Sequence, residues 1–241
     1  IIDRNIFMEF GKMGFLGPKI KGYNCLGETN TTYGLISKEI ESIDSGYRSM
    51  FSVQSSLVMK PIFDYANDDL KKKYLPKLAC GEFIGCFGLT EPDAGSNPSE
   101  LTTTARKDGN YYILNGSKTW ISNSPVADIF IVWAKLDGKI NGFLLDRDMN
   151  GIETPKIEGK LSLRTSVTGM IFMDNVKVPL ENRLNVIGLK GPFSCLNDAR
   201  MGISFGVLGA AENCLHTTID YIQNRRQFNH YLSEKQLIQY K

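Results

Sequence analysis

The chain has 241 residues, 42% of them hydrophobic, so it is long enough to bury a core in one or two domains. Its 28 basic and 26 acidic residues nearly balance, and the main block of like charge is the lysine run at 71–73, so the charge pattern does not indicate a nucleic-acid partner. Five scattered cysteines without a C-x-x-C pair and only two histidines argue against a metal site or a disulfide framework, and no apolar run reaches the length of a membrane span.

The first 80 residues have a helical pattern. Hydrophobic side chains recur at a spacing near 3.6 residues at Leu35, Ile36, Ile40 and Ile43. A further helix is predicted to begin after Asn67, a residue type that caps helices well, and Pro76 is expected to limit its far end. We therefore predict an N-terminal helical domain over residues 1–80.

Residues 81–190 consist of short β-rich runs with turn residues between them. Three dipeptides typical of tight turns separate such runs, namely Asn115-Gly116, Asp137-Gly138 and Asp174-Asn175. Because no helix-length segment alternates with the strands, a parallel βαβ sheet is disfavoured. We predict a middle domain built as an antiparallel β-barrel or sandwich.

From Gly191 a helical pattern returns and continues for about nine turns. Gly202, Gly206 and Gly209 lie in it, and each costs helix stability, which suggests close approach by another backbone or a ligand. Close helix packing alone is the simpler alternative. Residues 191–241 are thus predicted to begin a C-terminal helical-bundle domain, which makes the fold α+β. Neither end of the chain has the usual boundary signals, so we expect a fragment of a longer protein.

The stretch "FGLTEPDAGS" matches neither of the common nucleotide motifs. Gly88 and Gly95 allow close backbone approach, and Thr90 and Ser96 supply hydroxyls, so the stretch could form an anion-binding nest. An ordinary capped turn explains the same residues.

The stretch "SKTWISNS" places Ser122 two residues after Trp120, on the same face of a predicted strand. A flat aromatic ring beside a hydroxyl can pack against a flat heterocycle and hydrogen-bond to it. A tryptophan buried in the core of the sheet is the alternative.

Arg48 follows Glu41 by seven residues, so the two share a face if one helix carries both. An arginine oriented by a carboxylate could clamp an acidic ligand, with the hydroxyls of Ser49 and Ser52 nearby. A surface ion pair without function is the alternative.

These stretches together resemble the acyl-CoA dehydrogenase family of flavoenzymes. "GLTEPDAGS" is similar to the family's flavin-contacting signature, and "KTWISNS" to the strand whose Trp-Ile-Ser/Thr lies against the isoalloxazine ring. "ARMGISFGVLGAA" resembles the family's long helix, and "NRRQF" its Arg-x-x-Phe contact to the flavin pyrophosphate. The resemblance covers nearly all of the chain, in the family's order.

The resemblance implies FAD as the cofactor and acyl-CoA as the substrate. The cofactor-binding residues that it implies are Phe87, Gly88, Leu89, Thr90, Gly95, Ser96, Trp120, Ile121, Ser122 and Arg225. The substrate-binding residues that it implies are Arg48, Ser49, Ser52, Ser96, Asn197, Asp198 and Arg200.

Four further stretches, "IESIDSGYRSMFSVQSSLVM", "GCFGLTEP", "GPFSCLNDARMGI" and "LSEKQLIQYK", are most similar to the family members that act on glutaryl-CoA. In those enzymes the arginine of "GYRS", here Arg48, faces the free carboxylate of the substrate. The resemblance then implies oxidative decarboxylation of glutaryl-CoA to crotonyl-CoA and CO2, as in lysine and tryptophan catabolism. It also implies a homotetramer when full-length, an electron-transferring flavoprotein as partner and a mitochondrial matrix location.

The sequence departs from the family in three places. Asn97 and Asn229 replace an aspartate and a glycine, which are mild changes because asparagine also tolerates a left-handed backbone. The family's catalytic glutamate lies in a Tyr-Glu-Gly motif that does not occur here, and Glu91 is interpreted as structural, so we assign no catalytic residue and expect weakened flavin binding. A dehydrogenase for another acyl chain, or a non-catalytic module that binds acyl-CoA or a partner, are the alternatives.

Overall fold

The structure is a computed structural model that describes residues 3–241. Its α-helices are α1 (Asn5–Lys12), α2 (Asn30–Ile43), α3 (Ser45–Ser52), α4 (Lys60–Tyr65), α5 (Asp68–Ala79), α6 (Lys190–Asn224) and α7 (Gln236–Gln239). A π-helical stretch, Val53–Met59, joins α3 to α4 without a break, and 3-10 turns occupy Pro98–Glu100, Leu180–Asn182 and Leu232–Glu234.

The strands are β1 (Lys21–Gly22), β2 (Cys25–Leu26), β3 (Gly85–Gly88), β4 (Thr104–Asp108), β5 (Tyr111–Ser122), β6 (Ile129–Leu136), β7 (Lys139–Asp146), β8 (Ile152–Glu153), β9 (Thr168–Pro179), β10 (Arg183–Ile187), β11 (Arg226–Gln227) and β12 (His230–Tyr231). Helices thus come first, then the strands of one large sheet, then the long helix α6. The predicted α+β fold class is confirmed. No helix within residues 3–241 is both long and apolar enough to cross a membrane.

Side-chain caps fix where several helices begin. Thr29 caps α2, Asp44 caps α3 by accepting from Gly46 N at 2.6 Å, and Asn67 caps α5 by accepting from Leu70 N at 2.9 Å. The prediction that Pro76 limits α5 was wrong, because α5 continues to Ala79. A proline in the last turn removes only a single helical hydrogen bond, and the buried Leu78 and Ala79 gain contacts with the core by staying helical.

The large sheet has the strand order β10-β7-β6-β4-β5-β9-β8, with β3 also paired to β6. Most pairs are antiparallel, while β3 and β4 each run parallel to β6. Strand β6 is buried on both faces. Its Ile129, Ile131 and Trp133 face a core shared with the helices, and Phe130 and Val132 face a second core on the other side.

The three predicted turns had different outcomes. Asp137-Gly138 joins β6 to β7 with φ of 49° and 74°, as predicted. Asn115-Gly116 and Asp174-Asn175 are not turns, because β5 and β9 run straight through them. They lie close to each other across this pair, where the register shifts, and Asn175 N donates to Asn115 Oδ1 at 2.8 Å. The same residues that favour turns here form a β-bulge.

Gly202, Gly206 and Gly209 of α6 lie where α2 crosses it. A Cβ at Gly202 would lie 2.8 Å from the Tyr33 hydroxyl, one at Gly206 would collide with the Glu41 carboxylate, and one at Gly209 with the backbone carbonyl of Lys38. Close approach of another element is therefore confirmed, and helix packing is sufficient to explain it.

Candidate functional site

A cleft of about 410 Å³ lies between the helices and the sheet. Four segments form its walls: the π-helical stretch, the loop that follows β3, the end of β5 and the start of α6. The residues that line it are Val53, Leu57, Phe87, Leu89, Thr90, Gly95, Ser96, Pro98, Trp120, Ile121, Ser122, Phe193, Leu196 and Arg200.

Trp120 lies at the cleft in a left-handed backbone conformation, with φ of 58°. The pairing of β5 with β9 shifts register between Lys118 and Ile121, so the regular alternation of side chains is interrupted here. As a result Trp120, Ile121 and Ser122 all line the cleft. The Trp120 side chain is not in the core, since the residue is 63% exposed, and the core tryptophan is Trp133.

Glu91 anchors the loop that follows β3. Its buried carboxylate accepts from the backbone and hydroxyl groups of Thr102 and Thr103, and from Lys118 Nζ at 2.8 Å. Burial by itself would raise the pKa of Glu91, but the hydrogen bonds from Lys118, Thr102 and Thr103 outweigh it and lower the pKa to about 2. Glu91 is therefore structural, and it holds the wall of the cleft in place.

Lys118 belongs to the same anchor. It is completely buried, and its ammonium also donates to the carbonyl of Leu89 at 3.1 Å. Burial lowers the pKa of Lys118, opposed by the hydrogen bond and the charge of Glu91. One ion pair thus connects the strand that carries Trp120 to the loop that carries Thr90.

Gly88, at the end of β3, and Gly95, in the loop that follows it, have different surroundings. Gly95 lines the cleft and has open space where a side chain would begin. Gly88 does not line the cleft, and its Cα faces Ile171 and Lys118 inside the sheet. The structure explains Gly88 by packing against Lys118, while its predicted role toward a cofactor stays a prediction.

Arg48 lies on α3 and pairs with Glu41 on α2, through a short hydrogen bond from Nε to Oε2. The two are not on one helix, as the spacing had suggested, because Asp44 ends α2 and caps α3. Both side chains are buried, so the alternative of a surface ion pair is wrong. Within residues 3–241 the two Nη groups of Arg48 have no hydrogen-bond partner.

The other residues predicted to bind substrate are only partly brought to the cleft. Ser96 and Arg200 line it, while Arg48, Ser49 and Ser52 do not. Ser52 is buried behind it and accepts from the Tyr33 hydroxyl at 3.2 Å.

The helix α6 carries three more of the predicted residues. Asn197 accepts from Arg200 Nη1 at 2.8 Å, which orients the arginine. Asp198 points to a different pocket, where it accepts from Lys19 Nζ at 2.7 Å. Arg225 is exposed at the end of α6, outside the cleft.

Sequence reasoning missed most of the apolar walls. Val53 and Leu57 are four residues apart in the π-helical stretch, and Phe193, Leu196 and Arg200 recur with helical spacing in α6. That periodicity was available, but it does not distinguish a wall of a cleft from a core face.

The lining residues suit a flat, partly polar group. One exposed indole ring and several apolar side chains offer flat contact area, and Thr90, Ser96 and Ser122 offer hydroxyls. Arg200 adds a positive charge on the same wall. A conjugated ring system with an anionic tail matches these groups in shape and in polarity.

Comparison with known proteins agrees with this arrangement. Three family models match in order: the N-terminal domain of acyl-CoA dehydrogenase over residues 1–82, its middle domain over 86–176 and its C-terminal domain over 188–241. The chain belongs to the acyl-CoA dehydrogenase family.

Individual relatives agree with this family. A glutaryl-CoA dehydrogenase of Desulfococcus multivorans is 37% identical over 240 residues, which cover 95% of this chain and 61% of that protein. A mitochondrial short/branched chain specific acyl-CoA dehydrogenase of Rattus norvegicus is 33% identical, covering 99% of this chain and 57% of that protein. The crystal structure of a glutaryl-CoA dehydrogenase from Mycobacterium smegmatis in complex with FADH2 superimposes with a TM-score of 0.97 at 48% identity, covering 99% of this chain and 62% of that chain. The chain therefore spans about three fifths of the length of these relatives.

Proposed function

We propose that the cleft binds FAD and that the whole protein is a flavin-dependent acyl-CoA dehydrogenase acting on glutaryl-CoA. The observation that carries the proposal is the exposed Trp120 ring, which lines a cleft of about 410 Å³ together with Thr90 and Ser122. The relative from M. smegmatis that superimposes with a TM-score of 0.97 holds FADH2, which supports the choice of cofactor.

Several side chains of this chain would place the flavin. The Trp120 ring would pack against its flat ring system, while Phe87 and Leu89 exclude water from the apolar wall. The hydroxyls of Thr90 and Ser122 would hydrogen-bond to its polar edge. When bound, the flavin supplies the acceptor for the hydride that leaves the β-carbon of an acyl-CoA.

Arg48 supports the choice of a dicarboxylic substrate. Glu41 occupies only Nε, so the two Nη groups can donate to the free carboxylate of glutaryl-CoA in a two-point contact. Burial makes such a contact selective, because the guanidinium is shielded from water and within residues 3–241 its two Nη groups have no other partner. We propose Ser49 and Ser52 as neighbouring hydroxyls in the same substrate region.

The proposed reaction also needs a base for the α-proton. Within residues 3–241 the lining of the cleft contains no carboxylate. We propose that the whole protein uses the glutamate of the family's Tyr-Glu-Gly motif. An electron-transferring flavoprotein as acceptor, a homotetramer and a mitochondrial matrix location are further parts of the proposal.

The substrate is tested by Arg48→Met in the full-length protein, with glutaryl-CoA and butyryl-CoA compared in parallel. Loss of a charged hydrogen-bonding pair should lower kcat/KM for glutaryl-CoA roughly 10- to 100-fold, while butyryl-CoA is affected little. Lys107→Met serves as the control at an exposed cation on β4, outside the cleft. Equal losses for the two substrates in Arg48→Met would reject the clamp.

A dehydrogenase for another acyl chain is the second candidate, favoured by the 33% identity to the short/branched chain relative. In that case Arg48 would only form a structural ion pair with Glu41. Butyryl-CoA or a branched acyl-CoA would then be a better substrate of the unmodified protein than glutaryl-CoA. A non-catalytic module that binds acyl-CoA would bind these thioesters without turnover.

A further inference from the structure

A second pocket, of about 720 Å³, lies at the loop between β8 and β9 and shares no residue with the cleft. Its wall combines cations, hydroxyls and a few apolar side chains. The residues that line it are Pro125, Val126, Lys156, Ile157, Glu158, Gly159, Lys160, Arg164, Thr165, Ser166, Val167 and Thr168.

Lys160 gives this pocket a fixed positive charge. Its ammonium donates to the carbonyls of Leu163 and Ser166, and to Thr168 Oγ1 at 2.8 Å. All three acceptors are neutral, and within residues 3–241 Lys160 forms no ion pair. Burial and the nearby charge of Lys156 lower the pKa of Lys160, which is the response of a cation that lacks a compensating anion.

The loop is held in an unusual shape around this lysine. Leu163 has φ of 51°, a left-handed conformation that is costly for a side chain of this size, and its carbonyl is one of the three acceptors of Lys160. Ser166 is 1% exposed, and its hydroxyl has no hydrogen-bond partner. A strained backbone and an unsatisfied buried hydroxyl in one pocket are more typical of a binding site than of a solvated loop.

The charge of the pocket is not balanced. Among the lining residues, Lys156, Lys160 and Arg164 carry three positive charges, and Glu158, which pairs with Lys156 at 2.9 Å, carries one negative charge, which leaves the lining with a net charge of +2. Asp44 accepts from Thr165 Oγ1 at 2.5 Å but does not line the pocket. Arg164 is exposed and forms no ion pair within the described part of the chain. Its guanidinium is therefore free to make a two-point contact with an anion.

We propose that this pocket binds an organic phosphate monoester. A phosphate dianion matches the excess of two positive charges, which a single carboxylate does not. The pocket is also much larger than a phosphate group, and Pro125, Val126, Ile157 and Val167 provide an apolar wall for an attached organic group. Arg164 and Lys156 contact the phosphate, and Lys160 contributes charge while it holds the loop.

The test titrates the protein with phenyl phosphate, inorganic phosphate and phenol, measuring heat of binding at low ionic strength. Phenyl phosphate should bind most tightly, inorganic phosphate more weakly and phenol not measurably. Arg164→Gln should weaken phenyl phosphate about tenfold, because a charged hydrogen-bonding pair is lost.

Two control variants test whether phenyl phosphate binds in this pocket, and not through general positive charge or in the cleft. Lys107→Gln removes one exposed positive charge on β4, and Trp120→Ala alters the cleft, so neither should change the affinity for phenyl phosphate. Equal weakening by Arg164→Gln and Lys107→Gln would overturn the site, because non-specific attraction would then explain the binding. Equal affinities for phenyl phosphate and inorganic phosphate would overturn the assignment of an organic ligand.

Discussion

The Glu91 carboxylate accepts five hydrogen bonds that hold the wall of the cleft in place. It connects the loop after β3 to Thr102, Thr103 and the buried Lys118. Among the fourteen residues of "FGLTEPDAGSNPSE", Glu91 is the carboxylate most easily mistaken for a catalytic acid. Its partners show why the carboxylate is needed in its charged form, as a stable anchor.

Glu91→Gln should destabilise the protein by about 3–5 kcal/mol, because it leaves Lys118 as a buried cation without a partner. Urea unfolding followed by circular dichroism measures the change. Glu100→Gln is the matched control, since this carboxylate is exposed in the same loop and should change stability by less than about 0.5 kcal/mol.

The stability of the unmodified protein should also depend on pH through Glu91. The pKa of Glu91 is about 2 in the fold and 4.5 when free, so the stability it contributes is complete above pH 4.5 and is lost as the pH falls toward 2. Glu91→Gln should lack this loss of stability between pH 4.5 and 2. If the variant lost as much stability over this pH range as the unmodified protein, the structural role of the ionised Glu91 would be contradicted.

At the scale of elements, the crossing of α2 and α6 holds together the helix that carries Glu41, the partner of Arg48, and the helix that carries Arg200. A Cβ at position 209 would collide with the carbonyl of Lys38, so Gly209→Ala should destabilise the protein by about 1–3 kcal/mol although alanine is the better helix former. Ser204→Ala, on the exposed face of the same helix, should be neutral or slightly stabilising. Thermal unfolding compares the two, and a stabilised Gly209→Ala would show that the helices are not in contact there.

The elements also show what could be predicted from sequence and what could not. Asp137-Gly138 and Asn115-Gly116 are similar local signals, yet only the first is a turn. The second became a bulge because β9, far away in sequence, pairs with β5 on both sides of it. Local patterns therefore predicted the α–β–α order, whereas strand pairing depends on contacts between residues distant in sequence.

For the candidate site, too, local motifs could be predicted from the sequence, but contacts between distant segments could not. The motifs identified Thr90, Ser96, Trp120 and Ser122, which the structure brings together in one cleft. Spacing left it open whether one helix carries Arg48 and Glu41, because the cap at Asp44 was not recognised. The apolar walls from the π-helical stretch and α6 depend on packing between distant segments, so they could not be distinguished from core positions.

At the scale of the whole molecule, the chain covers about three fifths of its relatives and carries the N-terminal, middle and C-terminal family domains in order. The boundaries predicted at residues 80 and 190 stay predictions. The cleft combines segments from residues 53 to 200, so a cofactor bound there would contact both helices and sheet. Binding should therefore stabilise the molecule as a unit.

The most direct test of the central claim is the accessibility of Trp120 to acrylamide with and without FAD. The chain has only two tryptophans, and Trp133 is completely buried, so quenching of the exposed fraction reports on Trp120. If FAD packs against this ring, saturating FAD should remove the part of the emission that acrylamide quenches, because the stacked flavin both shields and quenches the indole. A Trp120→Phe variant should show no such part with or without FAD. Bound FAD with Trp120 still fully open to acrylamide would contradict the account.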